Sequence, residues 1–300
     1  MNSVEEKTYQ RLRKVPAKLR ESSAMEPIYR ASQERFKAEE AAINVRNEQF
    51  KLYHDSLRSV VQGSQQLEAL WAVPSQIAGK PHPLAIPKLT RMPAPKSPKV
   101  RLGSFVLIDT PPFEWGTWHA ESGASEVDLQ ANSGGNISFE IIAGLGPGGS
   151  PWGSGQASCW AGAGQDFAPP VEGLLRFSAS TGYSWIANWV SNWWCEAAGT
   201  IWIGQFISRF DQSGVFVDMP VSTQNAVYSF DDRNFADRGN QSGSNSGLLL
   251  QAELTVDPNF FYRCFVWIGG SANGDFSNKQ SWAQIAIGAS FTSITLQLFD

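Results

Sequence analysis

The chain has 300 residues, an apolar fraction of 42% and a formal net charge of −4, enough apolar matter for a core but no run near the roughly 20 apolar residues of a membrane span. Its charge is lopsided: residues 1–100 carry 17 Lys+Arg against 10 Asp+Glu, and residues 101–300 carry 7 against 18. Only "RLRKVPAKLR" (11–20) is densely basic, so the expected partner of the basic part is an acidic protein surface, its own or a neighbour's, rather than nucleic acid.

The first residues, "MNSVEEKTYQ", hold no apolar stretch of the secretory kind, which points to a cytoplasmic or non-classically released protein. A short helix is expected here, capped by Asn2 or Ser3 and ended by Pro16. From Pro27 to Trp71 the composition is helix-forming. Tyr29, Phe36, Ile43, Phe50 and Leu57 recur every seven residues, and Tyr53, Val60 and Leu67 join three positions later. That spacing predicts one apolar helical stripe. Ser32, Glu39 and Arg46 stand where the other half of a coiled-coil seam would be. Two uses fit: a helix packed on a body, or a homo-oligomer interface formed by Tyr29, Phe36, Ile43, Phe50, Tyr53, Leu57 and Val60. Residues 1–72 are therefore read as a helical stem. Residues 73–100 hold seven prolines and no acid between 74 and 98, which predicts an extended, basic linker or arm.

Beyond residue 100 the period changes to two. Ile137, Phe139 and Ile141 alternate with Ser138 and Glu140; Leu248, Leu250, Ala252 and Leu254 alternate with polar residues, as do Ile294, Leu296 and Leu298. "NSGG", "DQSG", "GNQSGSNSG" and "SANGD" separate such runs as turns. Ten to twelve short strands predict a mainly β domain over 101–300, a large antiparallel β-sandwich of jelly-roll type. Eleven of the twelve tryptophans fall in it. In "SWIANWVSNWWCEAAGTIWIG" (184–204), Trp185, Trp189 and Trp193 share one face of a strand and Ile186, Val190 and Trp194 the other. A wall of the core is the expectation; an interface is the alternative.

Chemistry is sparse. Cys159, Cys195 and Cys264 give neither a disulfide framework nor a metal spacing and read as buried thiols. "GLGPGG" (144–149) matches a dinucleotide fingerprint by letter, but Pro147 and Pro151 forbid the helix that would bind phosphate. His119-Ala-Glu121 lacks the P-C-x-x-C of a zinc deaminase, and no G-x-S-x-G is present. The polar segment 231–247 places Asp231, Asp232, Asn234 and Asp237 as oxygen donors of calcium type, opposed by Arg233 and Arg238. No cofactor and no enzyme activity are expected.

The best candidate site is "PPFEWGTWHAES" (111–122), read as a loop, with Trp115, Trp118 and His119 beside Glu114 and Glu121, and with Trp152 and Trp160 following. Rings beside carboxylates can stack on a sugar or grip a protein. An arm and stem before a β-head resembles the general plan of fibre heads, lectin-like modules and capsid jelly rolls, with no motif that names a family. The expected function is a non-enzymatic recognition module for a glycan or surface partner on an oligomerising stem. Its alternative is a structural self-assembly protein, of capsid, fibre or shell type, whose basic arm straps onto a neighbour's acidic β-domain.

Overall fold

A computed structural model of the chain describes residues 26–66, 104–109, 112–144, 155–191, 196–232, 237–274 and 281–299. The short first helix and the proline-rich linker of the sequence analysis lie outside these residues. One long helix, α1 (Glu26–Val61), comes first. Pro27 sits in its first turn, where a missing amide donor costs nothing. Gly63, at φ 102°, takes the left-handed conformation that ends it, and Ser64 N donates to Val61 O at 3.2 Å. No described helix is long and apolar enough to cross a membrane.

Among the described residues eleven strands follow: β1 (Ser104–Asp109), β2 (Glu114–Gly123), β3 (Ser125–Ala131), β4 (Asn136–Ala143), β5 (Gly155–Phe167) and β6 (Gly173–Ser191). After them come β7 (Ala197–Phe210), β8 (Phe216–Asp232), β9 (Asp237–Val256), β10 (Phe261–Gly274) and β11 (Trp282–Phe299). Their pairing is nested. β7 pairs with β8, β6 with β9, β5 with β10 and β4 with β11, every pair antiparallel. The eight strands thus form one long double ribbon, closed at its tip by the turn after Phe210. Rolled up, the ribbon adds β6–β11 and β7–β10 pairings and splits into two sheets. Sheet A runs β3-β4-β11-β6-β9, with β1 also on β11, and sheet B runs β2-β5-β10-β7-β8. This is the jelly roll that the alternating pattern predicts.

The tip turn is built by one carboxylate. Asp211 Oδ1 accepts from the amides of Ser213 and Val215, at 2.8 and 2.9 Å, and from Ser213 Oγ. These hydrogen bonds hold the Asp211 carboxyl below the usual carboxylate range, that of the Ser213 hydroxyl first among them.

The core lies between the sheets. Phe139, Ile141, Phe177 and Phe291 of sheet A meet Ile201, Ile203, Ile207, Val266 and Ile268 of sheet B, all buried. Each such side chain contributes roughly 1.5–3 kcal/mol by leaving water. The tryptophan run is part of this wall. Trp185 stacks on Tyr228 with centroids 4.3 Å apart, and Trp189 stacks on Phe230 at 4.3 Å, so β6 and β8 interdigitate along one side of the sandwich. Trp193 lies outside the described residues.

Two expected turns are instead strand, and the first four residues of "SANGD" continue β10 to Gly274. "GNQSGSNSG" belongs to β9 and pairs with β6 through Asn240↔Asn188 and Gly243↔Trp185. Backbone pairing needs no apolar side chain, and glycine here has a use: a Cβ on Gly239 or Gly243 would strike the Trp189 or Trp185 ring. The oxygen-rich segment is broken up accordingly. Asp231 and Asp232 end β8, Asp237 begins β9, and Asn234 lies outside the described residues. Asp232 is buried and accepts from Trp189 Nε1 at 2.9 Å. No group of three His, Cys, Asp or Glu that could hold a metal ion occurs among the described residues.

Candidate functional site

Strand alternation gives sheet B an inner face in the core and an outer face turned away from it. On the outer face the register lines up side chains in rows across the strands. One row reads Trp118, Trp160, Gly269, Trp202, Ala226. The next reads Gly116, Gly162, Trp267, Gly204, Gln224. On the other side of the tryptophan row lie Ala120, Ser158, Ser271, Thr200 and Ser229. An aromatic row therefore runs beside a row of hydroxyls. At about 4.8 Å per strand, Trp118 and Trp202 are roughly 14 Å apart.

Glycines let these rings lie against the sheet. A Cβ on Gly204 would come within 2.7 Å of the Trp267 ring and one on Gly269 within 2.9 Å of it; a Cβ on Gly162 would strike the Phe265 ring. Phe265 in turn stacks on Phe206, with centroids 5.2 Å apart.

The first turns of α1 cross this face. Tyr29 stacks on Trp160 at 5.5 Å and 23°, and Trp160 Nε1 donates to Ser32 Oγ at 3.0 Å. Phe36 is buried, edge-on to Trp118 at 6.5 Å. The Arg35 guanidinium stands 5.6 Å from the Trp202 ring centre and is held from the helix side by Glu39 at 2.8 Å. Of the expected stem interface, Tyr29 and Phe36 are thus packed on the protein's own β-domain. Val60 is exposed, and the side chains at 43, 50, 53 and 57 are outside the description.

Between α1 and sheet B a cleft of about 440 Å³ remains. Trp118, Trp160, Trp202 and Trp267 line it, together with Met219 and Phe206. Its polar groups are Ser32, Arg35 and Glu39 from the helix and Ser158, Ser222 and Gln224 from the sheet. Such a cleft can stack a flat ring and hydrogen-bond hydroxyls at the ring's rim.

The sequence-derived cluster is divided here. Residues 114–123 form an edge strand, β2, and not a loop, because they pair along their length with β5. Alternation then puts Trp118 and Glu114 on the outer face with Trp160, and Trp115, His119 and Glu121 on the opposite one. Trp115 is 52% exposed, and His119 Nε2 lies 3.9 Å from Glu121 Oε1 at the surface. Trp152 lies outside the described residues. Trp202 and Trp267 were missed. The signal for them was "IWIG" and "VWIGG", each a strand apolar on both faces with glycine beside the indole.

Cys159 is directly across from His119 in register, yet its thiol is buried in the core. Burial pushes that thiol well above the usual range, and does the same to Cys264, so neither is a nucleophile near neutral pH. Below the tryptophan rows, Arg263 and Asp166 form a buried bidentate pair, with Nε–Oδ1 at 2.7 Å and Nη2–Oδ2 at 2.9 Å. Burial works to lower the Arg263 pKa, but the hydrogen bonds and charge of Asp166 outweigh it and raise it overall.

No family model and no curated protein matches the chain. Among solved structures it is similar to the enzymatically active domain of bacteriophage CBA120 tailspike protein 4, at 13% identity over 60% of this chain and 19% of that chain, TM-score 0.19. It is similar to TmCBM61, solved with β-1,4-galactotriose, at 12% identity over 58% of this chain and 86% of that one, TM-score 0.17. A third is a structure of infectious bursal disease virus, Gx strain, at 12% identity over 71% and 42%, TM-score 0.17. Similarity this low bears neither on activity nor on ligand.

Proposed function

We propose that the protein is a non-enzymatic recognition module that binds a neutral glycan in the cleft between α1 and sheet B. The observation that carries this reading is the convergence of four indoles with hydroxyl, amide and guanidinium groups on one cleft. Sugar recognition uses that mixture: rings stack on the apolar face of a pyranose while short polar side chains take its hydroxyls. Charge selects the class. Residues 101–300 carry a net −11, which disfavours sulfated, uronic or nucleic polyanions.

The carboxylates support binding rather than hydrolysis. Glycoside hydrolysis needs two carboxyl groups flanking one bond. Glu39 is the one carboxylate among the described residues lining the cleft, and it is paired with Arg35. Glu114 and Glu121 point to opposite faces of β2, and Glu140, on sheet A, accepts from Gln284 Nε2 at 2.5 Å.

A glycan array spanning neutral and charged sugars tests the proposal, followed by titration of the best neutral hit. Trp202→Ala is expected to weaken that hit by roughly tenfold or more while melting stays nearly unchanged. An array without neutral hits, or wild-type affinity in the variant, would sink it.

A second reading, self-assembly through the stem, is favoured by one observation. Past the docked turns, Val45, Leu52 and Val60 of α1 are 59%, 71% and 72% exposed. Light scattering of the full chain should then show an oligomer that Leu52→Glu dissociates; a monomer at micromolar concentration rejects this reading.

A further inference from the structure

We infer that Trp160 and Trp118 form a second saccharide subsite, covered by α1 and opened by long ligands. The inference rests on the glycan reading of the cleft. Its observation is what α1 does there: Tyr29 lays a ring on the Trp160 indole at 5.5 Å and 23°, and Ser32 Oγ accepts from the indole N–H at 3.0 Å. A ring on the face and an oxygen at the nitrogen are contacts that sugar units can supply in the helix's stead. The helix thus holds the place of one sugar unit.

Geometry ties the covered subsite to the open one. Trp118, Trp160 and Trp202 stand in one cross-strand row, so a ligand stacked at Trp202 has the covered rings straight ahead along the sheet. The neighbouring row of Ser158, Ser271, Thr200 and Ser229 follows the same line and would meet hydroxyls along one edge of the ligand. A straight cross-strand row fits a neutral chain of equatorially linked pyranoses, whose rings lie in one ribbon, and not an axially linked chain that curls.

Two affinities follow. A disaccharide stacked at Trp202 has only the Arg35 side chain to move and leaves the backbone of α1 in place. A hexasaccharide must displace Tyr29 and Ser32, so its affinity is reduced by the fraction of molecules in which the helix is docked. Loosening the helix should therefore tighten long ligands and leave short ones unchanged.

The experiment uses the full chain, wild type and Tyr29→Ala, titrated with cellohexaose, mannohexaose and xylohexaose, their disaccharides, and maltohexaose as the curled control. The expected result is a roughly tenfold gain for at least one straight hexaose in the variant, with its disaccharide unchanged and no gain for maltohexaose. In wild type, amide hydrogen exchange over residues 28–40 should rise when that hexaose binds, a readout that needs no variant. Equal or weaker hexaose binding by the variant, or exchange unaffected by the hexaose, overturns the covered subsite while the open cleft stands. Absence of binding by both proteins overturns the glycan reading and this inference together.

Discussion

Arg263→Met is expected to cost about 3–5 kcal/mol of stability, because it strands a buried carboxylate. The side chains of Arg263 and Asp166 are 5% and 6% exposed and meet through two parallel hydrogen bonds. Removing the guanidinium leaves Asp166 without the cation that justified its burial. Replacing both, as Arg263→Met/Asp166→Leu, removes the stranded charge and should recover most of the loss. Denaturant unfolding of wild type, both single variants and the double gives the coupling directly. A single-variant loss under 1 kcal/mol would mean that water reaches the pair and the site is not sealed.

Trp189→Ala should cost a similar 3–5 kcal/mol, as for a large aromatic deleted from a core. It removes the stack on Phe230, opens the side of the sandwich where β6 meets β8, and takes one donor from the buried Asp232. Trp189→Phe separates these parts: the stack persists in part while the hydrogen bond to a charged group, worth about 1.5–3 kcal/mol, is lost. Thermal melts of the two variants beside Trp202→Ala distinguish the two populations of indole. Should Trp202→Ala melt as low as Trp189→Ala, Trp202 serves the fold and the ligand platform loses a ring.

Much of the fold is visible in the sequence because alternation reports which face a residue takes. Ile137, Phe139 and Ile141 are buried as their spacing says, and the "DQSG" turn closes on Asp211. Alternation does not report which strand lies alongside, and the site depends on that. Trp202 and Trp267 are 65 positions apart and sit on adjacent strands. Proximity in sequence misled in the other direction, joining Trp115 to Trp118 although consecutive odd and even positions of β2 face opposite ways. The segment 237–247 hid its strand for a different reason. Its side chains make no core, and its glycines are there for the indoles of β6.

The nested ribbon has a consequence for how the molecule is made. β11 pairs with β4, β6 and β1, so it is the strand that joins the two halves of sheet A. It is also the last of the eleven to leave the ribosome. Until then the tip of the ribbon, β7 with β8, can close through a short turn, and β6 with β9 and β5 with β10 can zip outward from it. Phe139 and Ile141 on β4, however, remain cut off from Phe177 on β6 by the width of one missing strand. The nascent chain therefore carries an open apolar seam from the emergence of β6 until that of β11. Closing it joins residues some 140 positions apart, such as Ala143 and Ala283, the kind of distant contact that makes β-proteins slow to mature and dependent on chaperones while they wait.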